Sequence, residues 1–181
     1  DADTGEALAE LSKDVEFDVV DDANAVAAEV AASGFGPGGL DEANGVVISG
    51  GDVDTAEAAA IQSISGYEGS ASDYDITDNA AALISAGDGI LDVDGVDIVS
   101  VADGPTSAND GAILAGFTAD VEFDVADTAG ALKSVMGTDD PASYLTEANS
   151  IVVDNDGQGD RVVNASDGAI LAGFTADIEF D

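Results

Sequence analysis

Cysteine and histidine are both absent from this chain of 181 residues. Without cysteine, the chain forms no disulfide bond and offers no thiolate as a nucleophile or metal ligand. Without histidine, it lacks the general base of the serine and cysteine hydrolases and the second common ligand of zinc. The sequence therefore excludes disulfide scaffolds, the usual zinc sites and every catalytic pair of a nucleophile with histidine.

Basic residues are almost absent too: Lys13, Lys133 and Arg161 stand against 39 acidic residues, which gives a formal net charge of −36. A surface of this charge repels nucleic acid and anionic lipid and attracts cations. Its self-repulsion destabilises a compact state unless salt or bound cations offset it. We therefore expect no nucleic-acid partner, and we expect a protein that works outside the cell, in seawater or brine.

Long apolar runs and aromatic side chains are also scarce. No apolar run approaches the roughly 20 residues that span a bilayer, so membrane insertion is not expected. The opening residues, DADTGEALAE, lack the basic and apolar regions of a signal peptide, and a start at Asp1 suits a processed chain. Tryptophan is absent and there are 3 tyrosines, which disfavours a sugar-binding site, and the regular threonine rows of an ice-binding face are missing.

Catalysis is correspondingly restricted. A pair of carboxylates could support glycoside hydrolysis or a lyase reaction. Enzymes that cleave acidic polysaccharides need basic side chains to hold the substrate, however, and three basic residues cannot line such a cleft. We expect this chain not to be an enzyme.

One fifteen-residue segment occurs twice. DGAILAGFTADVEFD occupies residues 110–124, and DGAILAGFTADIEFD occupies residues 167–181. The segment TGEALAELSKDVEFD at residues 4–18 is a third version, and residues 55–75 hold a looser fourth. The sequence therefore predicts one repetitive domain over residues 1–181, whose units recur near four aromatic residues: Phe17, Tyr74, Phe123 and Phe180.

Two types of strand alternate in this repeat. The first type, as in VEFDV, alternates apolar and acidic residues with a period of two. The second type, as in NGVVIS, VDIVSV and NSIVVD, is apolar on both faces and is expected to be covered on both sides. Together they predict seven strands, near residues 17, 47, 75, 98, 123, 152 and 179.

Helical or turn-rich segments separate most of these strands. Strands that alternate with helices at this spacing favour parallel pairing and an α/β, solenoid-like stack of strands and short helices. A mainly-β solenoid or sandwich is the alternative. An aspartate precedes several of the alanine-rich helical segments, and we expect Asp21, Asp78 and Asp127 to be their N-caps.

The repeat resembles a known class of sequences. YDITDNAAALISAGDGI, FDVADTAGAL and VDIVSVADGPTSANDGAIL are similar to the β-strand repeats of giant surface proteins and surface-layer-like proteins of cyanobacteria and marine bacteria. The resemblance covers about 160 residues. It implies an extracellular structural, surface-layer or adhesive role that is often calcium-dependent, and it assigns no catalytic residue.

Two aspartate-rich turns are candidate calcium sites. DNDGQGD places Asp154, Asp156 and Asp160 at the spacing with which a tight loop surrounds Ca²⁺ with hard oxygens. An EF-hand is excluded, because Ala165 stands where its bidentate glutamate would be. LDVDGVD is a weaker version of the pattern, with Asp92, Asp94 and Asp97. An ordinary aspartate- and glycine-rich turn is the alternative for both segments.

Acidic residues also share one face of the first type of strand, in the pairs Glu16/Asp18, Asp73/Asp75, Glu122/Asp124 and Glu179/Asp181. If these strands were neighbours, their carboxylates would stack roughly 5 Å apart and could hold cations. Intervening strands of the second type would double that distance and leave a solvated acidic face.

These observations together predict an extracellular or cell-surface structural protein that assembles head-to-tail with itself into a filament or surface layer and is stabilised by Ca²⁺. The chain ends on the strand half of a repeat unit, and the next copy could cover that strand. The alternative is an adhesin-type binding module taken from a giant cell-surface protein, with cell-surface glycans as its partner.

Overall fold

The computed structural model describes residues 16–33, 38–136, 147–153 and 178–180. Its helices are α1 (Ala23–Ala32), α2 (Thr55–Gln62), α3 (Ala80–Ala86), α4 (Asp88–Leu91), α5 (Ala108–Leu114) and α6 (Ala129–Met136). Its strands are β1 (Asp18–Asp21), β2 (Gly45–Val53), β3 (Asp73–Asp78), β4 (Val96–Val101), β5 (Val121–Glu122), β6 (Asp124–Asp127), β7 (Ser150–Val153) and β8 (Ile178–Phe180). Short 3-10 segments occupy Gly38–Glu42 and Gly69–Ala71.

The strands form two sheets in which hydrogen-bonded neighbours follow the order of the chain. A five-stranded parallel sheet has the order β1-β2-β3-β4-β5, and a three-stranded sheet has the order β6-β7-β8. The pairings of β1 with β2, β2 with β3, β6 with β7 and β7 with β8 are all parallel. A parallel neighbour requires a crossover connection, which the helices provide in most cases. The predictions of an α/β fold and of strands at all seven places are therefore confirmed.

The contacts divide the chain into two compact units, one of residues 1–78 and 86–99 and one of residues 79–85 and 100–181. In the first unit, α1 packs against β2 and α2. The helix buries Ala23, Val26, Ala27 and Val30, which are spaced i, i+3, i+4 and i+7 and so form one apolar stripe. From the sheet, the fully buried residues include Val19, Val46, Ile48, Tyr74 and Ile76.

In the second unit, α5 packs against α6 and β6. Leu114 of α5 and Leu132 of α6 are 1% and 0% exposed, and they share the core with Val125, Ile151 and Val153 of the sheet. Alternate residues of β7 are buried and half-buried, which is the period of two that a strand with one covered face requires.

The repeated segment at residues 110–124 runs through α5, a connecting turn and β5 to the first residue of β6. The strand predicted near residue 123 is interrupted, because β5 ends at Glu122 and β6 begins at Asp124. Within the second copy, at residues 167–181, the structure describes residues 178–180, and these form β8. The strand part of the segment is thus a strand in both copies.

A regular repeat implies equivalent core positions for its four aromatic residues. Tyr74 and Phe123 are buried, at 1% and 3% exposure, whereas Phe17 is only half-buried. The backbone carbonyls of Phe17 and Phe123 have equivalent roles, since each accepts a hydrogen bond from an asparagine that precedes the next strand, at 2.8 and 2.9 Å. The side chain of Phe180 lies outside the described residues.

The prediction that strands of the second type are covered on both faces is wrong for β4. Ile98 in the middle of this strand is 41% exposed, while the next residue, Val99, is buried at 2%. At its centre the strand therefore has one buried side chain beside one that meets solvent. Apolar residues on both faces of a short strand therefore do not show that both faces are covered.

The predicted helix caps are also wrong, each by one residue. The N-cap of α1 is Asp22, whose Oδ1 accepts from the Ala25 N–H at 3.0 Å. Before α3, Asn79 accepts from the N–H of the third residue on, at 3.0 Å. Before α6, Thr128 does the same at 3.2 Å. Asp21, Asp78 and Asp127, which were predicted as caps, each precede the residue that takes this role.

Candidate functional site

The turn that contains Asp92 and Asp94 connects α4 to β4 and forms one wall of an open cleft of about 630 Å³. Gly95 ends the turn with φ of 101°, in the left-handed region that favours glycine. Tyr67 and Glu68 line the other side of the cleft. The cleft thus brings the carboxylates of Glu68, Asp92 and Asp94 to one opening, and Glu68 is not part of the predicted calcium pattern.

The structure separates the third candidate ligand from the other two, since Asp97 is not among the residues that line this cleft. Asp92, Asp94 and Asp97 are all exposed. Within the described part of the chain, no group of three or more acidic residues is arranged to hold a metal ion. Asp154, Asp156 and Asp160 lie outside the described residues, so the calcium site there stays a prediction.

A polar network adjoins the cleft through Tyr67, which lines it. The Tyr67 hydroxyl donates a hydrogen bond of 2.8 Å to the backbone carbonyl of Asp94. Burial raises the pKa of the Tyr67 hydroxyl well above its ordinary value, and the neighbouring Tyr74 raises it further, so this hydroxyl keeps its proton. Gln62 Nε2 donates to Tyr74 Oη at 2.9 Å and to the carbonyl of Ile90 at 3.0 Å.

This network connects α2, β3, α4 and the turn before β4, and its geometry is that of a structural support. Its hydroxyl and amide groups are engaged with one another and with backbone carbonyls, as buried polar groups require. A signal for this network is present in the sequence, since Tyr67 and Tyr74 are two of the 3 tyrosines of the chain and stand only seven positions apart.

A second polar feature recurs along the chain. A carboxylate at or just after the end of one strand accepts a hydrogen bond from the first residue of a helix that begins 19 to 23 residues earlier in the chain. Asp78 Oδ2, at the end of β3, accepts from Thr55 N at 3.2 Å and from Thr55 Oγ1 at 2.8 Å, at the start of α2. Asp103 Oδ1, after β4, accepts from Ala80 N at 3.3 Å, at the start of α3.

The same kind of bond occurs a third time. Asp127 Oδ2, at the end of β6, accepts from Ala108 N at 3.0 Å, at the start of α5. The bonds span 23, 23 and 19 residues, close to one strand-to-strand step. Each places a carboxylate at the positive end of a helix dipole and satisfies an N–H that the helix itself leaves without a partner.

We call these three contacts, Asp78–Thr55, Asp103–Ala80 and Asp127–Ala108, the cross-repeat bonds. They explain why Asp78 and Asp127 are not the caps of the helices that follow them. In DN at residues 78–79 and DT at residues 127–128, two capping residues stand side by side. The second caps its own helix, and the first bonds to the helix of the neighbouring repeat. That doubled signal could have been recognised in the sequence.

The acidic strands are separated from one another. In the strand order, β2 lies between β1 and β3, β4 lies between β3 and β5, and β7 lies between β6 and β8. The acidic strands are therefore roughly 10 Å apart, twice the spacing of neighbouring strands. Of the two arrangements that the sequence left open, the structure has the one with intervening strands.

Uncharged groups stand beside these acids. Asp18 pairs with Gly45 across β1 and β2. Asp75 Oδ1 accepts from the backbone N–H of Ile98 at 3.2 Å. Asp124 Oδ1 accepts from Ser150 Oγ at 2.6 Å. The strands of the second type are not neutral throughout, however, since Asp52 of β2 is in register with Asp75 of β3 and β4 carries Asp97.

Comparison of the chain with protein-family models, with curated proteins and with solved structures finds no match. Among the described helices, none is both long and apolar enough to cross a membrane.

Proposed function

We propose that this chain is an extracellular structural protein that associates head-to-tail with copies of itself to form a filament or surface layer. Its role is that of a scaffold and not of an enzyme. The proposal includes a solenoid-like stack in which each strand and its helix form one step, and in which Ca²⁺ or salt offsets the charge of the folded chain.

The observation that carries the proposal is the strand order. Every strand of each sheet pairs with the next strand of that sheet in the chain, and the pairings for which registers are known are parallel. In such an order each repeat adds one strand at the edge of the sheet, and the sheet does not close on itself. The cross-repeat bonds connect each repeat to the next. It leaves β1 at one end of the first sheet and β8 at one end of the second. An end strand of this kind is a template for pairing with another chain.

The partner that suits these two strands is a second copy. β1 is an end strand of one sheet and β8 is an end strand of the other, so β8 of one molecule can pair with β1 of another and one copy can extend the next. This contact is heterologous, since it uses different surfaces on the two copies, and an open heterologous contact generates a fibre.

The charge of −36 supports the cation dependence. Repulsion among so many carboxylates weakens the compact state at low ionic strength, and a cation that binds only to the folded state stabilises it by mass action. We expect calcium or molar NaCl to raise the melting temperature. A chelator added in high NaCl should unfold a calcium-stabilised protein and leave a protein that needs only salt folded. No response to either would contradict the cation dependence.

Assembly is tested by sedimentation velocity and negative-stain electron microscopy over a range of protein concentrations, with calcium and salt present. We expect fibres or sheets from the full chain, and soluble monomers when residues 175–181 are deleted, because the deletion removes β8. A full chain that stays monomeric at high concentration would contradict self-assembly and favour the module of a longer surface protein.

A further inference from the structure

The bend before β2 contains the one asparagine–glycine pair of the sequence. Asn44 is followed by Gly45, while each of the other asparagines precedes a residue other than glycine. Asn44 lies in the bend and is exposed, whereas Gly45 is buried as the first residue of β2. The side chain of Asn44 is therefore accessible to water and is not held in place by packing.

The structure leaves little room for a side chain at Gly45. A Cβ built there would contact Glu68 Oε1 and would lie 3.6 Å from Asp18 Oδ1. The backbone here is anchored to β1, since the Asn44 N–H donates to the Phe17 carbonyl at 2.8 Å. Gly45 is itself in register with Asp18 of β1. An exposed amide thus adjoins a backbone nitrogen that no neighbouring Cβ shields.

Asparagine followed by glycine readily loses ammonia, because the glycine nitrogen can reach the side-chain carbonyl carbon without steric hindrance from a Cβ. We propose that Asn44 is a site of spontaneous deamidation. The Gly45 nitrogen attacks Asn44 Cγ and closes a five-membered succinimide ring, and the amide nitrogen leaves as ammonia with the proton of the Gly45 N–H. Water then opens the ring at either carbonyl, which gives aspartate or isoaspartate. The reaction needs only water, and it does not depend on the proposed assembly.

The second unit contains an equivalent position with serine in place of glycine. The sequence EAN directly precedes both β2 and β7. Asn149 is likewise exposed in a bend, and its N–H donates to the Phe123 carbonyl at 2.9 Å. The next residue, Ser150, begins β7 and is in register with Asp124. Asn149 thus has the same backbone setting as Asn44 but is followed by a residue with a side chain, which makes it the matched control within the same molecule.

Either product would loosen β1 from β2. Isoaspartate inserts one methylene group into the main chain between Asn44 and Gly45, the two residues that are anchored to β1. The longer chain cannot keep both anchors, because the register of a strand with a buried face is fixed. Aspartate keeps the chain length but adds a negative charge beside Gly45, which the carboxylates of Asp18 and Glu68 already approach. Like charges at such distances repel, so the deamidated chain should unfold at a lower temperature.

The test incubates the folded full chain at mildly alkaline pH in molar NaCl and follows both asparagines by peptide mass spectrometry. Deamidation changes the mass of a peptide, whereas isomerisation at an aspartate–glycine pair does not, so the two reactions are distinguished. Gly45→Ser and Ser150→Gly exchange the residues that follow the two asparagines, and Asn44→Gln keeps an amide that cannot close a five-membered ring. Circular dichroism measures folding, and a sample unfolded in urea gives the rate without structure.

We expect Asn44 to convert several-fold faster than Asn149 in the folded chain. Ser150→Gly should accelerate the reaction at Asn149, and this variant remains informative if Gly45→Ser does not fold. The incubated chain should melt at a lower temperature than fresh protein, while the Asn44→Gln variant should keep its melting temperature. Equal rates at the two asparagines, or conversion of Asn44 only after unfolding in urea, would overturn the proposal. Conversion without a lower melting temperature would overturn the expected loosening of β1.

Discussion

Replacing Asp78 with alanine should destabilise the protein, because it removes the carboxylate of one cross-repeat bond. Asp78 Oδ2 accepts two hydrogen bonds, from Thr55 N at 3.2 Å and from Thr55 Oγ1 at 2.8 Å, and both are part-buried. A hydrogen bond to a charged group contributes about 1.5–3 kcal/mol, and a carboxylate at a helix N-terminus contributes about 0.3–1 kcal/mol. These contributions overlap, so we expect a loss of about 2–3 kcal/mol. For a chain of this length, that corresponds to a melting temperature lower by about 4–12 °C.

The assay is thermal and urea unfolding at constant high salt. Asp78→Asn keeps an oxygen that can accept from Thr55, and should cost only about 1 kcal/mol, the share of the charge. Asp73→Ala is the matched control, since Asp73 is exposed on the same strand and should change the stability by less than about 0.5 kcal/mol. In a double-mutant cycle, Asp78→Ala and Thr55→Val should couple. Equal effects of the Asp78→Ala and Asp73→Ala changes, or zero coupling, would refute the reasoning.

Three other changes test single features of the structure. Thr106→Val should stabilise the protein by up to about 1 kcal/mol in thermal unfolding, because the Thr106 hydroxyl is buried and has no hydrogen-bond partner; a destabilised variant would contradict this. Gly95→Ala should cost about 2 kcal/mol or more, because a Cβ there would contact Tyr67 Oη, whereas Gly104→Ala, also at positive φ but in open space, should cost only about 1 kcal/mol; equal costs would contradict the contact. Because the pKa of Tyr67 is raised in the folded state, its contribution to stability is complete below about pH 10 and is lost as the pH rises further, so Tyr67→Phe should flatten the alkaline fall in the free energy of unfolding; parallel curves would contradict this.

The sequence by itself determined the positions of the strands and the class of the fold. Apolar residues at every second position, as in the segment around Phe123, can be buried together only in a strand. These strands alternate with helical segments along the chain, which favours parallel pairing because parallel strands need a long crossover connection. Both properties are local or periodic, so they could be read without any knowledge of which strand lies beside which.

Only the tertiary structure decided which groups meet across that step. Asp78 and Asn79 are equally good capping residues by type, and which of them bonds to the neighbouring helix depends on how far α2 lies from the end of β3. The exposure of Ile98 depends on what covers each face of β4, which its own composition does not report. The interruption at Phe123 and the spacing of the acidic strands likewise depend on strand order. The bond between Asp78 and Thr55 joins residues that are 23 positions apart in the chain. It can form only when two repeats pack against each other, so the sequence of either repeat alone does not predict it.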